Sequence, residues 1–253
     1  MIKLSDVPNK FTGEYYDGDY FATPKGKKFK RPNGSIDGWS YESPDGEWHA
    51  ARSIAEAWKE VFNPKNILDV GAGRGTFIAY ARDVGIEAEG FDFSEWAVND
   101  GRYNRCRPEW LKLHDATHSW PYDDDSFDLV IALDFYEHIY SDDLQFVIDE
   151  LYRVARKWIF LQIAIVCGGN VFQKRKEKGY ILKKDVPVPI GLEGCAVSGH
   201  VTVQDETWWF DKFENEEWTF RKDMVNHFCS LVDHSIIKNW VLNLIMIYEK
   251  LDE

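Results

Sequence analysis

Residues 67–77 read ILDVGAGRGTF. Asp69 stands among Ile67, Leu68 and Val70 in a short strand candidate, and Gly71, Gly73 and Gly75 alternate before a helical pattern begins at Thr76. Glycines between a first strand and a helix let the backbone turn sharply and approach a ligand with no Cβ in the way. A phosphate-binding P-loop would finish in Gly-Lys-Ser/Thr, and here Gly75 is followed by Thr76 and Phe77. A dinucleotide fingerprint is spaced G-x-G-x-x-G, whereas this loop is G-x-G-x-G and follows a carboxylate that would repel a pyrophosphate. The loop suits a ligand that presents positive charge.

Outward from the loop, strand and helix patterns alternate. Upstream, Ile54, Ala57, Trp58 and Val61 recur at helical spacing until Asn63 and Pro64. Downstream, TFIAYARDVG reads as a helix closed by Gly85, EAEGFDF as a second strand, and SEWAVNDGRY as a helix capped by Ser94. WLKLHD and SFDLVIALD are strands three and four. Ser141 is expected to cap a helix with Leu144, Val147, Ile148 and Leu151 on one face and Arg153, Arg156 and Lys157 at its end. WIFLQIAIV is strand five, DETWWFDKFENEEW looks helical, TFRKD is a further strand candidate, MVNHFCSLVDH a short helix, and VLNLIMIYEK a final strand expected to run antiparallel. The pattern predicts an α/β, doubly wound, Rossmann-like sheet of seven mostly parallel strands with helices on both faces. Residues 1–46 read as an arm or lid, residues 47–253 as the main domain, and 168–200 as an insertion bordering the site.

Asp92 ends the second strand 23 residues after Asp69, where doubly wound folds place a carboxylate on ribose hydroxyls. Together the two acids suit a nucleoside joined to an amino acid. In LDVGAGRG, GFDFSEWAV, HDATHSWPYDDDSFDLV and ALDFYEHI, in this order, the chain resembles the class I S-adenosylmethionine-dependent methyltransferases, in particular those acting on small molecules. The resemblance covers roughly residues 47–164 well and the remainder loosely.

That resemblance implies S-adenosyl-L-methionine as cofactor. Asp69, Gly71, Ala72, Gly73 and Gly75 would surround its methionine part, Asp92 would take the ribose hydroxyls, and Phe93 would lie against the adenine. Asp115 and Ala116 would meet the adenine amino group, and Leu133 and Asp134 the amino group and sulfonium. Methyl transfer from a sulfonium is an in-line displacement in which holding the nucleophile supplies much of the rate. A hydroxyl acceptor also benefits from a base, for which His138 and His200 are the candidates, with Glu137 orienting one of them. The Asp134, Glu137, His138 spacing also permits a divalent metal, although the expectation is of no metal.

The acceptor should be a small molecule. The chain carries eleven tryptophans and twelve tyrosines, and aromatic faces with polar rims suit sugars and planar rings. Aromatic faces also stabilise a sulfonium, and Tyr15, Tyr16 and Tyr20 are candidates for a flap over the cofactor. O-methylation of a small polar or glycosylated molecule is the leading reading; N-methylation of an amine or amino sugar, and a scaffold that binds the cofactor without turnover, are the alternatives. No Asn/Asp-Pro-Pro-aromatic motif follows strand four and no Pro-Cys pair occurs. With a net charge of −13, nucleic acid is therefore an unfavoured partner. Two basic stretches, 25–31 and 174–178, read as solvated loops or a site for an anionic group.

Composition, at 44% hydrophobic and 29% charged, is that of a globular protein. The longest apolar runs fall short of the roughly 20 residues needed to span a bilayer, and MIKLSDVPNKF has no secretory pattern. Cys106, Cys167, Cys195 and Cys229 are widely spaced, with no CxxC pair. A reducing cytoplasm is the expected compartment.

Overall fold

The computed structural model describes residues 11–21, 29–30, 36–37, 49–165, 179–182, 199–232 and 243–251. Its central sheet contains β1 (Asn66–Val70), β2 (Glu87–Asp92), β3 (Leu111–Leu113), β4 (Phe127–Leu133), β5 (Ala155–Ala164), β6 (Trp218–Phe220) and β7 (Asn243–Lys250). Their spatial order is β6-β7-β5-β4-β1-β2-β3. β1 through β5 pair in parallel, while β7 is antiparallel to both neighbours, β5 and β6. The last strand thus enters the sheet as an insertion between β5 and β6.

Helices cover both faces because each strand of the centre carries apolar residues on both sides. On one face α1 (His49–Phe62), α2 (Thr76–Asp83) and α5 (Lys222–Leu231) meet a core containing Trp58, Tyr80, Phe160 and Phe228. On the other, α3 (Ser141–Val154) and α4 (Glu206–Lys212) cover Val130, Leu161 and Met246 with Leu144, Ile148, Trp209 and Phe213. Full burial of a side chain such as Ile54 or Phe160 contributes about 1.5–3 kcal/mol. α1 stops where Asn63 turns to a φ of 42° ahead of Pro64.

Several boundaries differ from the sequence reading. α3 begins at Ser141, but Tyr140 is its cap and no side chain caps it; Asp142 and Asp143 complement its N-terminus instead. β5 starts immediately at Ala155, so Arg156 and Lys157 belong to the strand, where Arg156 pairs with Asp128 at 2.9 Å. The helix after β2 is a single turn, Glu95–Val98, although Ser94 does cap it by accepting the Ala97 N–H at 3.0 Å. That turn stops because the chain bends back at Gly101, whose N–H bonds the Trp96 carbonyl. Of DETWWFDKFENEEW only Glu206–Lys212 is helical, capped by Asp205.

Strand order reverses across β1, whose neighbours are β2 on one side and β4 on the other. The carboxyl ends of β1, β2 and β4 therefore open a crevice at this switch point. Most of residues 1–46 and 168–200, including GWSYESPDGEW, the basic stretch 174–178 and most of 25–31, lie outside the described residues, as do Cys167 and Cys195.

Candidate active site

A cavity of about 460 Å³ occupies that crevice. Its floor is the glycine loop. Gly71, Gly73 and Gly75 all have positive φ, at 70°, 53° and 76°. At Gly71 a Cβ would fall on the Phe135 ring across the cavity floor, so both conformation and space require glycine. Gly75 is different. It is absent from the cavity wall, and a Cβ there would meet Cys106 Sγ. Gly75 thus seats α2 against its neighbours and does not line the cavity.

Two carboxylates stand behind the loop. Asp92 Oδ2 accepts the Gly73 N–H at 2.8 Å and Oδ1 accepts the Ser94 N–H at 2.8 Å. Burial raises the Asp92 carboxyl to about 6 against these hydrogen bonds, which lower it. Asp69 is 2% exposed, and its Oδ2 has no hydrogen-bond partner among the described residues. Burial first, and the charge of Asp92 second, push it to about 8. A buried carboxylate oxygen without a donor is costly unless a ligand supplies one.

Phe93, Asp115 and Ala116 line the far end of the cavity. Asp115 does double duty, since its Oδ1 accepts both the N–H and the hydroxyl of Thr117 at 2.9 Å and so fixes its own turn. Tyr16 and Tyr20 close the cavity from the arm, 5% and 4% exposed, with their rings 4.7 Å apart and Tyr16 5.2 Å from Phe93. Ser94 Oγ donates to the Tyr16 carbonyl, and the Phe11 N–H to Tyr140 Oη at 3.2 Å, which ties the arm down. Tyr15 is not on the wall; it packs edge-on against Phe11 and Tyr16.

At the end of β4, Leu133 and Asp134 line the cavity, and Asp134 adopts a left-handed φ of 48°. A non-glycine residue held there stores strain that its surroundings must outweigh; its N–H is fixed by the Gln162 carbonyl at 2.8 Å. Asp134 and Glu137 face each other, and burial raises both carboxyls, Asp134 to about 6. His138 also lines the cavity. Its Nδ1 lies 3.0 Å from the Gly199 carbonyl oxygen and 3.0 Å from Tyr16 Oη. A carbonyl oxygen can only accept, so Nδ1 carries the proton and Nε2 the lone pair. Burial lowers His138 to about 4, which keeps the ring neutral. Glu137 and His200 are not on the wall but stand against His138, the two imidazole centroids 4.9 Å apart and perpendicular.

Sequence reasoning missed Gln162 and His114. Both line the cavity and each has a buried nitrogen without a partner among the described residues, Gln162 Nε2 and His114 Nε2. An amide inside the apolar run WIFLQIAIV was the available signal for Gln162. Among the described residues Arg74 is the only arginine or lysine on the wall, against Asp69, Asp92, Asp115, Asp134 and Asp143.

Residues 46–163 match a family model described as a methyltransferase domain. No curated protein sequence matches the chain. Among solved structures, the plantazolicin methyltransferase BpumL in complex with SAH is 13% identical, with a TM-score of 0.52 over 80% of this chain and 83% of that one. A protein of Bacillus halodurans C-125, described as a candidate methyltransferase, is 14% identical with a TM-score of 0.52 over 79% of this chain and 99% of that one. At 14% identity and a TM-score of 0.50, the complex of the Haloferax volcanii Trm112 methyltransferase activator with its candidate methyltransferase aligns over 81% and 95%. These likenesses are of fold. No helix among the described residues is long and apolar enough to cross a membrane. Residues 46–163 are thus similar to a methyltransferase domain, and the sheet has the fold of the solved methyltransferase structures.

Proposed function

We propose that the chain methylates a hydroxyl oxygen of a small polar acceptor, of the kind that sugars and their conjugates present. The observation that carries this is His138: a neutral imidazole whose Nδ1–H is committed to the Gly199 carbonyl and whose remaining lone pair belongs to a residue of the cavity wall. A neutral nitrogen lone pair beside the methyl-transfer position is what a hydroxyl nucleophile needs and an amine can do without.

The residues present fit the cofactor. Asp69 Oδ2, buried without a donor, is placed for an ammonium; Gly71, Ala72 and Gly73 leave backbone room beside it; Asp92 offers remaining lone pairs to a diol. Phe93 and Ala116 would face the adenine, with Asp115 at its amino group, and Tyr16 and Tyr20 would roof it. When bound, S-adenosylmethionine supplies a methyl group on a sulfonium, the electrophile of an in-line displacement. The chain's own task is then to hold the acceptor oxygen in line and receive its proton. The arm and the segment 168–200 would shape the acceptor side, a reading supported by the packing of Phe11, Tyr16 and Tyr20 with Leu182 and Val201. A reducing compartment suits the buried thiol of Cys106 and the free Cys229.

The test is transfer of a labelled methyl group to a metabolite extract, with alkali-stable ether products expected. Labelled amine products would replace the oxygen reading, and cofactor binding without any transfer would favour the scaffold. His138→Ala should lower kcat by about 10²–10⁴-fold if the imidazole takes the proton.

A further inference from the structure

We propose that Glu137, His138 and His200 form a binding site for a divalent cation of the first transition row, with Asp134 on its cavity side. One carboxylate oxygen of Glu137 and one ring nitrogen from each histidine lie within 4.8 Å of one another. A cation about 2.0–2.2 Å from each ligand needs only a small closure of that triangle.

Each group has an atom that a cation could engage. Glu137 is 0% exposed; Oε1 accepts the Ala164 N–H at 3.2 Å, Oε2 meets no N–H or hydroxyl donor among the described residues, and the side chain hydrogen-bonds the Asp134 carboxyl. No hydrogen bond engages His138 Nε2 or the His200 ring among the described residues; the His200 carbonyl alone is bonded, by Tyr180 Oη at 3.2 Å. The Nδ1–H of His138 donates to a backbone carbonyl, the arrangement that fixes a ligating imidazole with its other nitrogen forward. Asp134 and Glu137 add two facing carboxyls, hydrogen-bonded to each other, on the cavity side of the site.

The backbone brings the ligands together from distant sequence. The Val201 N–H bonds the Glu137 carbonyl at 2.7 Å and Thr202 Oγ1 donates to the Ile139 carbonyl at 2.7 Å, strapping the segment that carries His200 onto the turn that carries Glu137 and His138. Two imidazoles with carboxylate oxygen favour manganese through zinc over magnesium or calcium. This inference rests on the reading of O-methylation for its purpose: an open coordination position would take the acceptor hydroxyl and make it more acidic, its proton would pass to the Asp134 carboxylate on the cavity wall, and His138, the base of the cation-free protein, would then serve as a ligand.

The experiment uses the full-length chain stripped with chelator and titrated with Co²⁺ alone, without cofactor or acceptor. One Co²⁺ per chain with a d–d absorption spectrum is expected, displaced by Zn²⁺, with Mg²⁺ ineffective at equal concentration. Glu137→Gln and His200→Gln should each weaken Co²⁺ binding at least tenfold, while His227→Ala, on the surface of α5, leaves it unchanged. S-adenosylmethionine binding reports that the variants are folded. Should they not fold, hyperfine-shifted imidazole signals from two histidines in the Co²⁺-loaded native protein carry the same decision. Absence of stoichiometric binding, affinity untouched by both substitutions, or no shifted histidine signals overturns the site. Because no methyl transfer is measured, that failure leaves the O-methyltransferase reading intact, and failure of the labelled-methyl assay with Co²⁺ bound would overturn that reading alone.

Discussion

Asp92 Oδ2 accepts the Gly73 N–H at 2.8 Å, so a side chain at the end of β2 holds the loop that follows β1. Its other oxygen holds Ser94, the cap of the next turn. Asp92→Ala leaves two amide donors without their acceptor, at a cost of about 1–3 kcal/mol in stability. On the proposed ribose role it also weakens S-adenosylmethionine binding at least tenfold. Denaturant unfolding and calorimetric titration separate the two effects; unchanged affinity in a folded protein would remove Asp92 from the binding site.

Gly71 and Gly75 share a conformation but not their surroundings. A left-handed non-glycine residue costs roughly 1–2 kcal/mol, so both alanine variants should melt at lower temperature. Only Gly71→Ala sends its Cβ into the cavity floor at Phe135, and only it should abolish cofactor binding in the folded fraction. The Gly75→Ala variant should regain part of its stability when Cys106→Ala is added, since Cys106 Sγ is what the new Cβ meets. Thermal melts of the double variant check this; no recovery would place the cost elsewhere.

Asp69 links binding to protons. With its carboxyl raised to about 8, it is mostly protonated near pH 7 in the empty protein, and an ammonium drawn to it favours the charged form. Cofactor binding should therefore release protons near pH 7 and tighten as pH rises through 8. The binding enthalpy should differ between buffers of different ionisation enthalpy, and Asp69→Asn should erase that difference. For folding the sign is separate: a carboxyl raised in the folded state contributes most below its unfolded value, near 3.9, and that contribution is lost as pH climbs through 8.

The Glu150 and Arg153 pair acts oppositely. Arg153 donates to both Glu150 oxygens, at 2.6 and 2.8 Å, and Glu150 Oε2 also accepts the Trp120 N–H at 2.6 Å. The guanidinium bonds hold Glu150 below its usual range. Its contribution is thus complete above the unfolded value, about 4.3, and fades as pH falls through the depressed folded value. Glu150→Gln should destabilise at pH 7 and narrow its deficit toward pH 3, as measured by urea unfolding. A deficit independent of pH would make the interaction one of shape alone.

From the chain alone came the order of strands and helices, the glycine loop, and the acids at Asp69 and Asp92, because periodicity and spacing are local properties that survive without coordinates. Residue-by-residue alternation could not show where short elements stop. The turn after Ser94 ends within four residues, and Arg156 lies on a strand, because packing sets those ends. Gly75 looked equivalent to Gly71 until Cys106 was seen against it. Above all, His138 and His200 lie 62 residues apart in the chain, and hydrogen bonds between Val201 and Glu137, between Thr202 and Ile139, and between His138 and Gly199 bring their rings to 4.9 Å. Contact between distant segments depends on the path of the chain through space, and that path decided which of the sequence's acids and imidazoles share one site.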